Sequence, residues 1–171
     1  MQSHNAIGLS AISSEIAIIA ATLPTTPVAP TTVISGTNVL ISWIMQDTGG
    51  SVITSYTVKI RQSDNATYTS TSLCDGTSAQ VVSDKSCLVP VAALTTPPFN
   101  LPWGSSVFAN VLATNIIGSS GASPGGNGAI ILITPDSPRN LTNVPSITTA
   151  TQIGLTWATG SANGGTPVID Y

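Results

Sequence analysis

Leu40-Ile41-Ser42-Trp43, followed by Gly49-Gly50, Val52-Ile53 and Tyr56, returns further along the chain as Leu155-Thr156-Trp157, Gly164-Gly165, Val168-Ile169 and Tyr171. The tryptophans lie 157 − 43 = 114 positions apart and the tyrosines 171 − 56 = 115. A second pair of copies runs the other way: Asn5-Ala6-Ile7-Gly8-Leu9-Ser10 matches Asn115-Ile116-Ile117-Gly118-Ser119-Ser120, an offset of 115 − 5 = 110. Self-similarity at a fixed period is the signature of a tandem array. The 171 residues therefore divide into the C-terminal strand or strands of a preceding module (1–23), one complete module (24–134) and the N-terminal strands of a following one (135–171).

Within the complete module the apolar residues alternate. Val39, Ile41 and Trp43 define a strand with a buried face, and Tyr56, Val58 and Ile60 share one face of a second strand over Val52 to Ile60. Such alternation suits an antiparallel sheet with one solvated side. Ala66 to Leu73 predicts a third, exposed strand. Val81-Val82 and Leu88 to Leu94 predict short apolar pieces around a turn. Ser105 to Thr114 predicts a long strand with Val107, Ala109, Val111 and Ala113 inward, and Ala129 to Thr134 a last one. Gly118 to Gly128 reads as a loop, with Gly125 to Gly128 a flexible turn. No twelve-residue window carries a helical stripe. Seven or so short strands in such a length predict an all-β sandwich in which α-helix is nearly absent.

Composition narrows the function. Only 6% of residues are charged, against roughly 25% in ordinary soluble domains, and the net charge is −3. Four basic residues, Lys59, Arg61, Lys85 and Arg139, are scattered, so no phosphate-tracking surface and no nucleic-acid partner is expected. No apolar run approaches the ~20 residues of a membrane span. The single histidine, His4, and the single glutamate, Glu15, lie outside the complete module. That inventory builds neither a Ser-His-Asp triad nor a carboxylate pair, so no catalytic, cofactor or metal site is expected.

Ile41-Ser42-Trp43, Gly49-Gly50, Ile53-Thr54-Ser55-Tyr56-Thr57-Val58, Ala113-Thr114-Asn115-Ile116-Ile117-Gly118 and Thr134-Pro135-Asp136-Ser137-Pro138 together resemble the fibronectin type III domain. The Cys74-Asp75-Gly76…Cys87 insert and the Leu101-Pro102-Trp103-Gly104 stretch are similar to tandem modules of large surface proteins from microbial eukaryotes. The resemblance implies a spacer, adhesion or ligand-binding module outside the cell, and it carries no catalytic residues. One departure stands out. Val107 occupies the position where the family places a tyrosine whose hydroxyl closes a corner between strands.

Five residues remain as candidates. Cys74 and Cys87, the only cysteines, are expected to form a disulfide tying two strand ends; free thiols or half a metal site are the rival readings. Asn65-Ala66-Thr67 and Asn140-Leu141-Thr142 are acceptors for N-linked glycans, against the plainer reading of unmodified surface asparagines. Trp103 is either an exposed stacking platform for a ligand or packing at the sandwich end. Trp43 and Trp157 are expected in cores. Two functions follow from this inventory. The first is a non-catalytic structural component of an extracellular or cell-surface array or filament, whose partners are neighbouring copies of itself and covalent glycans. The second is an adhesion module binding a glycan or protein through its loops, to which a concave site around Trp103 would point.

Overall fold

The computed structural model describes all residues 1–171. At its centre two three-stranded antiparallel sheets face each other. The first has the order β3 (Thr31–Ser35), β4 (Asn38–Ser42), β7 (Ser86–Pro90); the second has β6 (Tyr68–Thr69), β5 (Ser55–Arg61), β8 (Ala109–Thr114). Register follows the alternation in the sequence. Val39 opposes Val89 and Ile41 opposes Cys87 in one sheet; Tyr56 opposes Ala113, Val58 opposes Val111 and Ile60 opposes Ala109 in the other. All ten are buried. Each buried Val or Ile contributes about 1.5–3 kcal/mol relative to exposure. Trp43 and Tyr56 join the sheets edge to face at 5.1 Å, and burial pushes the Tyr56 phenol above its ordinary pKa, partly offset by the Trp43 indole. This strand order is that of a fibronectin type III-like sandwich.

The fourth member of the second sheet is irregular. Where Gly118–Gly128 reads as a loop and Ala129–Thr134 as a strand, the segment from Ser120 runs along β8 and takes three residues for every two of its partner. Ser120 N–H donates to Ala113, Ser123 to Val111 and Gly126 to Ala109, at 2.8–2.9 Å, while Val107 donates to Ala129 at 2.9 Å. The seryl hydroxyls accept from the amides of Ala113 and Val111 at 3.0 Å. Neither a two-residue period nor a regular ladder exists here. Nor is Gly126 part of a flexible turn: it is buried, and a Cβ there would stand 1.6 Å from the Pro30 carbonyl.

Two short helices correct the reading of the insert. Val81-Val82 lies in α1 (Ala79–Asp84), which ends with Lys85 left-handed at φ 54°, and Val91 to Leu94 forms α2, which buries Leu94. Six residues are too few to display a helical period. The exposed strand expected over Ala66–Leu73 shrinks to Tyr68–Thr69, because a 3-10 turn at Ser72–Cys74 follows, with the Thr71 side chain accepting from the Leu73 amide.

Outside the sandwich lie two hairpins, β1 (His4–Asn5) with β2 (Gly8–Leu9), and β9 (Arg139–Asn143) with β10 (Leu155–Ala158). Both are exposed throughout. Trp157 is thus not a core residue: it is 42% exposed where Trp43 is 5%, because β9 and β10 have no facing sheet. It still keeps its partner, Tyr171, at 5.6 Å. No helix is long and apolar enough to cross a membrane.

Candidate functional site

Cys74 and Cys87 are bonded, with Cα atoms 5.4 Å apart. They do not tie two strand ends. Cys74 ends the 3-10 turn and Cys87 lies inside β7, opposite Ile41. Two residues beyond Cys74, the Gly76 carbonyl accepts the Tyr56 amide of β5 at 2.9 Å. The bridge therefore fastens an insert held by the second sheet to a strand of the first.

The position of the missing tyrosine is closed in another way. Val107 is fully buried, and its carbonyl accepts the Thr32 hydroxyl at 2.9 Å. The same hydroxyl accepts the Ala129 amide at 2.9 Å. Thr32, on β3, thereby clasps the two sheets with one oxygen. Nothing in the sequence marks it out from the neighbouring threonines at 22, 25, 26 and 31.

Asn65 and Asn140 are both exposed and both left-handed, at φ 60° and 55°. Asn65 sits in a turn organised by Asp64, whose carboxylate accepts from the Ala66 and Thr67 amides and the Thr67 hydroxyl. These bonds hold the Asp64 carboxyl below the usual carboxylate range, the Thr67 hydroxyl contributing most. A 240 Å³ cleft beside Asn65 is bordered by Arg61, which stacks over Phe108 at 3.7 Å, and by Pro102. Asn140 lies beside the irregularity of the β9–β10 ladder.

Trp103 borders a groove of about 660 Å³. Its walls come from the β3–β4 turn (Ile34, Thr37), α2 (Val91) and the end of the module (Ile130, Leu132, Ile133). No charged side chain lines it. Trp103 is 37% exposed, so it both packs on the sandwich end and presents a face to the groove. Backbone bonds tie residues 120–126 to β8 and Gly76 to β5. Nowhere do three or more His, Cys, Asp or Glu side chains converge.

The groove adjoins a junction that occurs twice. Thr22 N–H donates to Gly49 at 2.8 Å and Thr25 to Asp47 at 3.1 Å; Ile133 donates to Gly164 and Asp136 to Ala162, both at 3.0 Å. The glycines are required at each. A Cβ on Gly49 would meet the Thr22 carbonyl at 2.4 Å, and one on Gly164 the Ile133 carbonyl at 1.9 Å. Gly165 further packs against Gly104, next to Trp103, leaving 2.3 Å between a would-be Cβ and the Gly104 nitrogen. The turns repeat as well. Asn5 Oδ1 accepts from Ile7 and Gly8 at 2.8 and 3.1 Å, and Asn115 Oδ1 from Ile117 and Gly118 at 2.9 and 3.2 Å.

No protein-family model matches the chain, and no curated protein is similar to it. Among solved structures it is similar to domains A168-A170 from titin, with 21% identity over 64% of this chain and 32% of that one and a TM-score of 0.47. Titin kinase with its flanking domains gives 20% identity over 64% and 18%, TM-score 0.47. The twitchin kinase region from C. elegans gives 21% over 66% and 17%, TM-score 0.44. The chain spans 32% of the length of the first of these structures and 18% and 17% of the other two.

Proposed function

We propose that this chain is a non-catalytic structural segment of an extracellular array built from fibronectin type III-like units. The observation that carries the reading is the duplicated junction: the same pair of backbone bonds, over the same Gly-Gly loop, joins 22–25 to 47–49 and 133–136 to 162–164. A linker that repeats with its hydrogen bonds spaces successive units regularly. The disulfide suits an oxidising compartment. N-linked glycans on Asn65 and Asn140 would hydrate a surface that has few charges of its own. The partners are then neighbouring units and covalent sugars.

Recognition is the second reading, and the groove beside Trp103 favours it. Against a sugar as occupant stands the lining, which offers the Thr37 and Thr95 hydroxyls but no carboxylate, amide or guanidinium side chain.

Fractionating native cells tests the first reading. Expected is recovery at the cell surface or in the medium, with the 74–87 bridge oxidised and the Asn65 peptide heavier by a glycan. Recovery in the cytosol with reduced cysteines and an unmodified Asn65 peptide overturns it.

A further inference from the structure

The groove beside Trp103 and the exposed turn Asn115–Gly118 lie on opposite sides of one repeated junction. At the first junction the turn is an integral part. Asn115 Nδ2 donates to the carbonyls of Thr22 and Thr48, both at 2.8 Å, and a Cβ on Gly118 would touch the Leu23 side chain at 2.8 Å. So the Gly49-Gly50 loop and the Asn115 turn together grip the end of the preceding segment. The second junction supplies the loop, Gly164-Gly165, on the matching residues. Ile133 stands where Thr22 stood, since both junction bonds share the offsets 133 − 22 = 111 and 164 − 49 = 115.

Laying the first junction on the second places a following copy's Asn-Ile-Ile-Gly turn against Ile133 and Thr134. That is the rim of the groove. The turn carries two isoleucines, Ile116 and Ile117, which are 68% and 51% exposed in this chain. The groove presents apolar Ile130, Leu132 and Trp103, each 37–51% exposed. Apolar surface on both sides, with no charge in the groove, is the pattern of a contact core.

We infer that the groove formed by α2, Trp103 and Ile130–Ile133 is the seat for the Asn115–Gly118 turn of the following copy of this module. The inference rests on the tandem reading above. The interface is heterologous: each unit gives a turn at one pole and a groove at the other, so contacts propagate along the array in one direction. The short linker holds turn and groove at high effective concentration, so even a small apolar contact is populated.

The test extends the full chain in frame after Tyr171 with a copy of residues 57–134, completing a second unit, and follows backbone hydrogen exchange. Amides of Val91–Thr95 and Ile130–Ile133 should exchange about tenfold more slowly than in the 171-residue chain. Ile116→Asp and Ile117→Asp in the appended copy should abolish that protection while β5 and β8 of both units stay protected. Unchanged exchange in the groove of the extended chain, or protection that survives the two substitutions, overturns the inference and leaves the tandem reading standing. An appended unit whose β5 and β8 exchange as unfolded chain removes the tandem reading, and this inference with it.

Discussion

Thr32 shows how one side chain can replace a missing one. Its hydroxyl donates to Val107 and accepts from Ala129, so Thr32→Val strands a buried carbonyl and a buried amide with the shape preserved. Leaving such groups unpaired costs about 1–3 kcal/mol. The denaturant midpoint should fall accordingly, with an unchanged slope. Gly76→Ala should cost at least as much, because its Cβ would stand 1.7 Å from the Tyr56 carbonyl and only backbone movement relieves it. Two carboxylates give a pH signature. Asp75, like Asp64, is held below the usual range, first by the Thr77 hydroxyl and then by the Thr77 amide. Folded-state values below the unfolded ones mean that this stabilisation is present above about pH 4. It is lost as pH falls through the folded values. The midpoint of the wild type should therefore decline in acid more steeply than that of Asp64→Asn/Asp75→Asn. At this scale the sequence shows the inward residues of β4, β5 and β8 plainly, since period-2 burial writes itself in Val and Ile. It hides Thr32, whose role comes from strands about 75 and 97 positions away.

Elements were legible in proportion to their regularity. Strands β4, β5 and β8 announce themselves by alternation, whereas α1 does not, because six residues hold fewer than two helical turns. The edge segment after Ser120 was illegible for a different reason: its period is three, with Ser120, Ser123, Gly126 and Ala129 turned inward. Its serines replace ladder carbonyls by hydroxyls, which covers β8 and denies that edge to a foreign strand. Ser123→Val should remove the acceptor of the Val111 amide and lower stability by about 1–3 kcal/mol, while Ser119→Val, which removes only an exposed hydroxyl bond to Thr114, should cost less. The insert was legible as a cysteine pair but not as a bridge across sheets. Reduction should cost roughly 3 kcal/mol for a loop of this length, seen as a lowered midpoint. The Trp43–Tyr56 pair lies outside the bridged loop, so near-ultraviolet dichroism should survive reduction in the absence of denaturant.

At the scale of the molecule the chain is a packed sandwich between two open hairpins. Ile7, Ile16 and Ile18 are 95%, 82% and 81% exposed, and residues 10–30 carry no strand. The matching Asn turns and Trp–Tyr pairs were legible from their spacing; the groove was not, because it depends on how α2 and Trp103 fold beside Ile133. Exposed apolar hairpins seek partners. Copies of this chain that lend strands to one another should bury Ile16, Ile18 and Trp157 as concentration rises. Limited proteolysis by an unspecific protease reads this directly. In dilute solution the first cuts should fall in 10–20 and 144–153, where backbone pairing is sparse, leaving the bridged sandwich whole. With rising protein concentration those cuts should slow relative to cuts in a non-associating reference protein. Ile16→Asp/Ile18→Asp should abolish the slowing without touching the sandwich, since both side chains point into solvent. Cuts that keep the same relative rate at every concentration would mean that the hairpins find no partner in a second chain, and would confine assembly to units joined along one polypeptide.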